Sequence, residues 1–154
     1  MLGFSYYFQR DYEHAIQQLN KALEIDPTYA LAAEGIAKTY WQMGNYKQAV
    51  DQQIKALQLW GDEVHAKELR ETFEKLGYKG VLRKDAKFSE AGDDPYHAAR
   101  DYAMLGEKDA AFAALEKAAA AGNFLDFLKL DPALDNLRPD PRYADLLRRI
   151  GLPQ

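Results

Sequence analysis

The chain of 154 residues is 47% hydrophobic and 29% charged, carries a formal net charge of −4 and contains no cysteine. Disulfides and thiolate metal sites are thereby excluded, and a mildly acidic chain with no clustered basic stripe is poorly suited to neutralising phosphates, so no nucleic-acid partner is expected. No apolar run approaches the roughly 18–20 residues of a membrane span and no secretory leader opens the chain, so the expectation is a cytoplasmic protein without membrane contact.

In chain order, Leu2, Gly3 and Tyr6 fall on a short first helix, and Tyr12, Ala15, Ile16, Leu19, Ala22, Leu23 and Ile25 form the apolar stripe of a second. Their i, i+3, i+4, i+7 spacing predicts helix. Asp26-Pro27 ends this helix and opens the next, because proline is excluded from a helix interior yet fits a first turn. A second pair occupies about residues 30–60, with Gly44-Asn45 as its internal turn and Tyr46, Ala49, Val50, Ala56 and Leu57 along its seam. Tyr6, Ala15 and Ala22 recur as Tyr40, Ala49 and Ala56, and Asp26-Pro27 gives way to Trp60-Gly61, each 34 residues later. A constant interval of this length predicts stacked helical pairs, in which recurring residues pack and function rests on those that vary.

The third unit departs from this pattern. Val64, Ala66, Leu69, Phe73 and Leu76 predict an amphipathic helix ending at Gly77, and Val81, Leu82, Ala86 and Phe88 a second over about residues 79–90, but without alanines at the repeat positions. A turn follows at Ala91-Gly92-Asp93-Asp94-Pro95, where the two aspartates read as helix-start chemistry. The fourth unit recovers the pattern: Ala98, Ala99, Tyr102 and Met104 precede Leu105-Gly106, and Ala111, Leu115 and Ala118 follow. Helices are predicted from Pro95 to Leu105 and from Lys108 to Ala121, the latter stopped by Gly122-Asn123. From Phe124 onward, Asp131-Pro132 and Asp140-Pro141 can each start a helix. Tyr143, Leu146, Leu147 and Ile150 then form one apolar stripe, with Arg142, Asp145, Arg148 and Arg149 facing elsewhere, as a terminal cap requires.

Leu2-Gly3, Tyr6, Ala15, Leu19, Ala22 and Pro27, echoed by Tyr40, Gly44, Tyr46, Ala49 and Ala56, resemble the tetratricopeptide repeat family. The stretch from Leu128 to Pro153 is similar to the closing end of such arrays in large bacterial regulators, where the array follows a DNA-binding, kinase, cyclase or propeller-like sensor domain. The resemblance implies an all-α, right-handed superhelical solenoid of antiparallel helix pairs with a C-terminal capping helix. It would form a single domain over 1–154, with repeats at about 1–27, 28–61, 62–91 (degenerate) and 93–122, and a cap over 123–154. It further implies that first helices line a concave face that holds a peptide or partner protein. The family's contact positions fall on Phe4, Tyr7 and Phe8; Leu31, Glu34, Lys38, Trp41 and Gln42; His65, Glu68, Thr72 and Lys75; and Tyr96, Arg100 and Met104. Tyr7, Phe8, Glu34, Lys38, Trp41, Gln42, His65, Tyr96 and Arg100 are the candidate contacts, with Trp41 foremost. Phe4 and Gly35 stand where the chaperone-tail-binding subgroup has its carboxylate clamp, so that role is not expected.

No enzyme chemistry, cofactor or metal is expected. His14, His65 and His97 lack ligand spacing, and no phosphate loop, nucleophile elbow or convergent carboxylate pair is present. Lys84-Asp85 and Arg100-Asp101 read as solvated charges, as do Arg138, Arg142, Arg148 and Arg149, which interleave with Asp135, Asp140 and Asp145. Met1 falls partway into the first repeat, which predicts poor cover for Leu2, Phe4, Tyr6, Tyr7 and Phe8 and points to upstream repeats or a homo-oligomer joined through that end. The functional expectation is a protein-interaction scaffold, the C-terminal module of a bacterial signalling or transcription regulator. The alternatives are an oligomerisation spacer and a small-ligand sensor.

Overall fold

Aspartate caps begin five of the helical segments. Asp11, Asp62, Asp94, Asp131 and Asp140 each accept a hydrogen bond from a backbone N–H two or three residues ahead, satisfying donors that a helix start leaves without partners. The segments are α1 (Leu2–Phe8), α2 (Tyr12–Ile25), α3 (Ala30–Met43), α4 (Tyr46–Leu59), α5 (Glu63–Ala91), α6 (Pro95–Leu105), α7 (Lys108–Ala121), a 3₁₀ segment (Pro132–Leu137) and α8 (Pro141–Arg149). The computed structural model describes residues 2–122 and 127–151, and among these there is no strand. The expectations that fall on Met1, Asn123, Phe124, Leu152 and Pro153 lie outside the described residues.

The chain divides into two compact units, Met1–Val81 and Leu82–Gln154, the division falling in the second half of α5. In the first unit α1 packs on α2, α2 on α3 and α3 on α4, in series. Leu19, Leu23, Ala32 and Ile36 form a core that Phe4, Ala22, Tyr29 and Tyr40 flank. The repeated alanines Ala15, Ala49 and Ala56 are buried, as packing positions should be. Close approach of α1 to α2 depends on Gly3, where a Cβ would stand 2.5 Å from Leu19 Cγ.

α5 is not one straight rod. Gly77 has φ 66 and ψ −167, a region open in practice only to glycine, and it splits the segment into residues 63–76 and 78–91. The apolar stripe read over the first half is only partly covered: Ala66 and Leu69 are buried, whereas Val64 and Leu76 are 72% and 70% exposed.

In the second unit α6 and α7 form an antiparallel pair, the 3₁₀ segment packs on α6 and α8 on α7. Tyr96, Tyr102, Phe112, Leu115, Leu128, Leu134, Leu137, Tyr143, Leu146 and Leu147 make one core. The Tyr143 hydroxyl donates to the Leu128 carbonyl, and burial pushes that phenol up from its ordinary value, so it stays protonated and able to donate. α8 thus covers α7 with its apolar stripe while Arg148 and Arg149 face solvent.

Candidate interaction site

α3 buries eight of its fourteen residues and leaves a ridge outside, with Tyr40 and Met43 also partly uncovered near its end. Ala30, Ala32, Ala33, Gly35, Ile36, Ala37, Thr39 and Trp41 are buried, whereas Leu31 is 45% exposed and Glu34, Lys38 and Gln42 are half-buried. Steps of three, four and four residues place these four side chains on one helix face. Lys38 and Glu34 form an ion pair along that ridge, each about four-fifths covered. The result is an apolar residue followed by a coupled pair of opposite charges and an amide.

The other candidate contacts are placed differently. Trp41 is 9% exposed, and its indole Nε1 donates to Gln53 Oε1 at 3.2 Å, so α4 holds the ring inside the helical pair rather than leaving it on an open face. Tyr7 is buried, its ring set edge-on to Phe8 with centroids 5.3 Å apart, which corrects the expectation of poor cover at that residue. Phe4, Tyr6 and Phe8 are half-buried, and of the five residues expected to lack cover Leu2 alone is largely exposed. His65 is buried beside its cap, Asp62.

Tyr96 and Arg100 are also removed from solvent. Arg100 is 5% exposed, and its Nε lies 2.7 Å from Asp131 Oδ2, to which the Tyr96 hydroxyl donates at 3.0 Å. Asp131 also caps the 3₁₀ segment through Ala133 N–H. Neither Arg100 nor Asp85 is therefore the solvated charge that local sequence suggests, since both are buried. The three groups form a polar core contact that ties the C-terminal segment to α6.

One recurring arrangement went unnoticed in the sequence, although its spacing is plain there. Each of the three histidines lies three residues after an aspartate that caps its helix: Asp11 and His14, Asp62 and His65, Asp94 and His97. Nδ1 of His14 and of His97 meets the carboxylate at 2.8 and 2.6 Å. The hydrogen bond from His14 holds the Asp11 carboxyl below its ordinary value. These pairs are helix-start chemistry, and among the described residues no three His, Asp or Glu side chains converge as metal ligands would. An open depression of about 480 Å³ at the α6–α7 turn is lined by Glu107, Lys108, Asp109 and Arg142. Arg142 is committed there, to Asp109 at 2.7 Å and Asp140 at 2.9 Å, with its guanidinium over the Phe112 ring. No helix among the described residues is long and apolar enough to cross a membrane.

Comparison with known families agrees with the helical pairs. Residues 3–44 match the family described as TPR repeat, and residues 30–61 the family described as tetratricopeptide repeat. No curated protein and no solved structure matches the chain. Tetratricopeptide repeats generally mediate protein–protein interaction, and proteins built from them are typically scaffolds rather than enzymes. Over residues 3–61 the chain is similar to tetratricopeptide repeats, and α1 to α4 packed in series have the paired-helix arrangement that such repeats require.

Proposed function

We propose that the chain is a protein-interaction scaffold that binds a peptide or partner protein along the outer ridge of α3, at Leu31, Glu34, Lys38 and Gln42. The observation that carries this reading is the contrast within one helix: eight of its fourteen residues are buried, yet these four, one turn apart in succession, keep at least part of their side chains on the surface, with Tyr40 and Met43 also partly uncovered toward the helix end. Leu31 offers an apolar anchor, and the Glu34–Lys38 pair offers either sign of charge to a partner that exchanges one ion contact for another. Phe8 on α1, half-buried, extends the same reading toward the amino terminus. Trp41 supports the ridge from beneath, through Gln53, instead of touching the partner.

The broader setting is a module of a larger bacterial signalling or transcription regulator, acting in the cytoplasm. Its support is the similarity of residues 128–153 to the closing stretch of repeat arrays in such proteins. The test is capture of partners by the intact chain beside a Leu31→Asp, Lys38→Glu variant and a Lys117→Glu control on α7, with circular dichroism to confirm folding. The ridge variant should lose about tenfold or more in affinity, the effect of removing one hot-spot contact, while the control binds as before. Equal binding by all three proteins would refute the ridge and favour a spacer role.

A further inference from the structure

Tyr46 is the first residue of α4 and Tyr78 follows the break in α5, yet their rings lie face to face, with centroids 3.8 Å apart and planes 9° from parallel. Aromatic pairs ordinarily take offset or edge-on arrangements with centroids about 4.5–7 Å apart, so this pair is closer and flatter than packing alone favours. Carbons of one ring therefore face carbons of the other across a gap of near van der Waals contact. Both residues are half-exposed, within reach of a diffusible oxidant. Trp41 stands 5.8 Å from Tyr46, near enough to pass an electron vacancy toward the pair. With no cysteine in the chain, no thiol competes for that vacancy.

We propose that Tyr46 and Tyr78 form an oxidative modification site, at which a one-electron oxidant of the ferryl-haem peroxidase class joins the two rings as an intramolecular dityrosine. Each phenol gives one electron to the oxidant and one proton to water. The two phenoxyl radicals combine through their ortho carbons, forming one C–C bond, and each ortho hydrogen then transfers to its own ring's oxygen. Both phenols are restored, the pair has lost two hydrogens, and the oxidant has taken up two electrons. Burial raises the Tyr46 phenol above its ordinary value, so that ring starts protonated at neutral pH, as this balance requires. The bond ties the start of α4 to the second half of α5 and fixes the chain direction on either side of Gly77.

The experiment treats the dilute full chain with a haem peroxidase and limiting hydrogen peroxide. The expected product is monomeric, lighter by two hydrogens, fluorescent as dityrosine, and yields on trypsin digestion a joined peptide of residues 39–47 with 76–79. Tyr46→Phe and Tyr78→Phe, which keep the ring and the fold, should each abolish that peptide, and Tyr29→Phe should leave it intact. Persistence of the monomeric dityrosine product in Tyr78→Phe, or dityrosine found only in covalent dimers, would overturn the proposal.

Discussion

Replacing Asp131 by alanine should unfold the second unit at much milder conditions than the parent requires. The Arg100 and Asp131 side chains are 6% and 5% exposed, so removing the carboxylate leaves a guanidinium inside the protein without its counter-charge. Breaking a buried pair from one side costs about 3–5 kcal/mol, whereas an exposed pair contributes about 1 kcal/mol or less. The same change removes the acceptor for the Tyr96 hydroxyl and the cap on Ala133 N–H, the latter worth about 1 kcal/mol. Against a total stability of about 5–15 kcal/mol for a domain, the loss is a large fraction, and for a unit of this size it lowers Tm by more than about 10 °C. Urea and thermal titrations followed by far-ultraviolet circular dichroism measure it. Tryptophan emission provides a separate signal, because Trp41 and Trp60 both lie in the first unit. Joint replacement, Arg100→Met with Asp131→Leu, should recover most of the loss, since an apolar pair needs no counter-charge. A cost below about 1 kcal/mol for Asp131→Ala would show that the pair is solvated, and the reasoning would fail.

Gly3→Ala places a methyl group 2.5 Å from Leu19 Cγ and 3.3 Å from the Ala15 carbonyl oxygen, so α1 must shift or Leu19 must repack. The cost should be about 1–3 kcal/mol by chemical denaturation, and an unchanged midpoint would contradict the close approach of α1 and α2. Acid should also destabilise the chain. Asp11, Asp26 and Asp140 are held below their ordinary values, chiefly by hydrogen bonds from His14, Thr28 and Arg142 respectively, with Asp140 brought down to about 2. A carboxylate lowered on folding contributes stability above the unfolded value and loses it as pH falls through the folded value. Tm should therefore hold between pH 7 and 5 and drop from about pH 4 toward 2, with a shallower drop in Asp140→Asn. An identical acid profile in that variant would remove Asp140 from the explanation.

The helical punctuation was legible because it is local. Proline at the first turn, left-handed Gly44 and Gly106 at helix ends, and Asp94 before Pro95 each act within a few residues, so α6 and α7 begin and end where the sequence places them. The seam alanines were legible through their 34-residue recurrence, because a constant interval repeats the same packing site. Exposure was not legible where it is decided by partners distant in sequence. The resemblance implies a contact role for Trp41, but its accessibility is set by Gln53 on the next helix. Arg100 looks solvated beside Asp101, and the carboxylate that buries it lies thirty-one residues away at Asp131. The Asp131 cap was readable from Asp-Pro, but its second role as a counter-ion needed the fold. At α3 the ridge emerged once burial separated Trp41 from Glu34, Lys38 and Gln42, all of which the repeat pattern had treated alike.

Amide chemical-shift mapping of the isotope-labelled chain, titrated with a captured partner, tests the α3 ridge most directly. The account predicts that the largest perturbations cluster at Leu31, Glu34, Lys38 and Gln42 and vanish in the Leu31→Asp, Lys38→Glu variant. Perturbations confined to the outer surface of α7 and α8, with α3 silent, would contradict it.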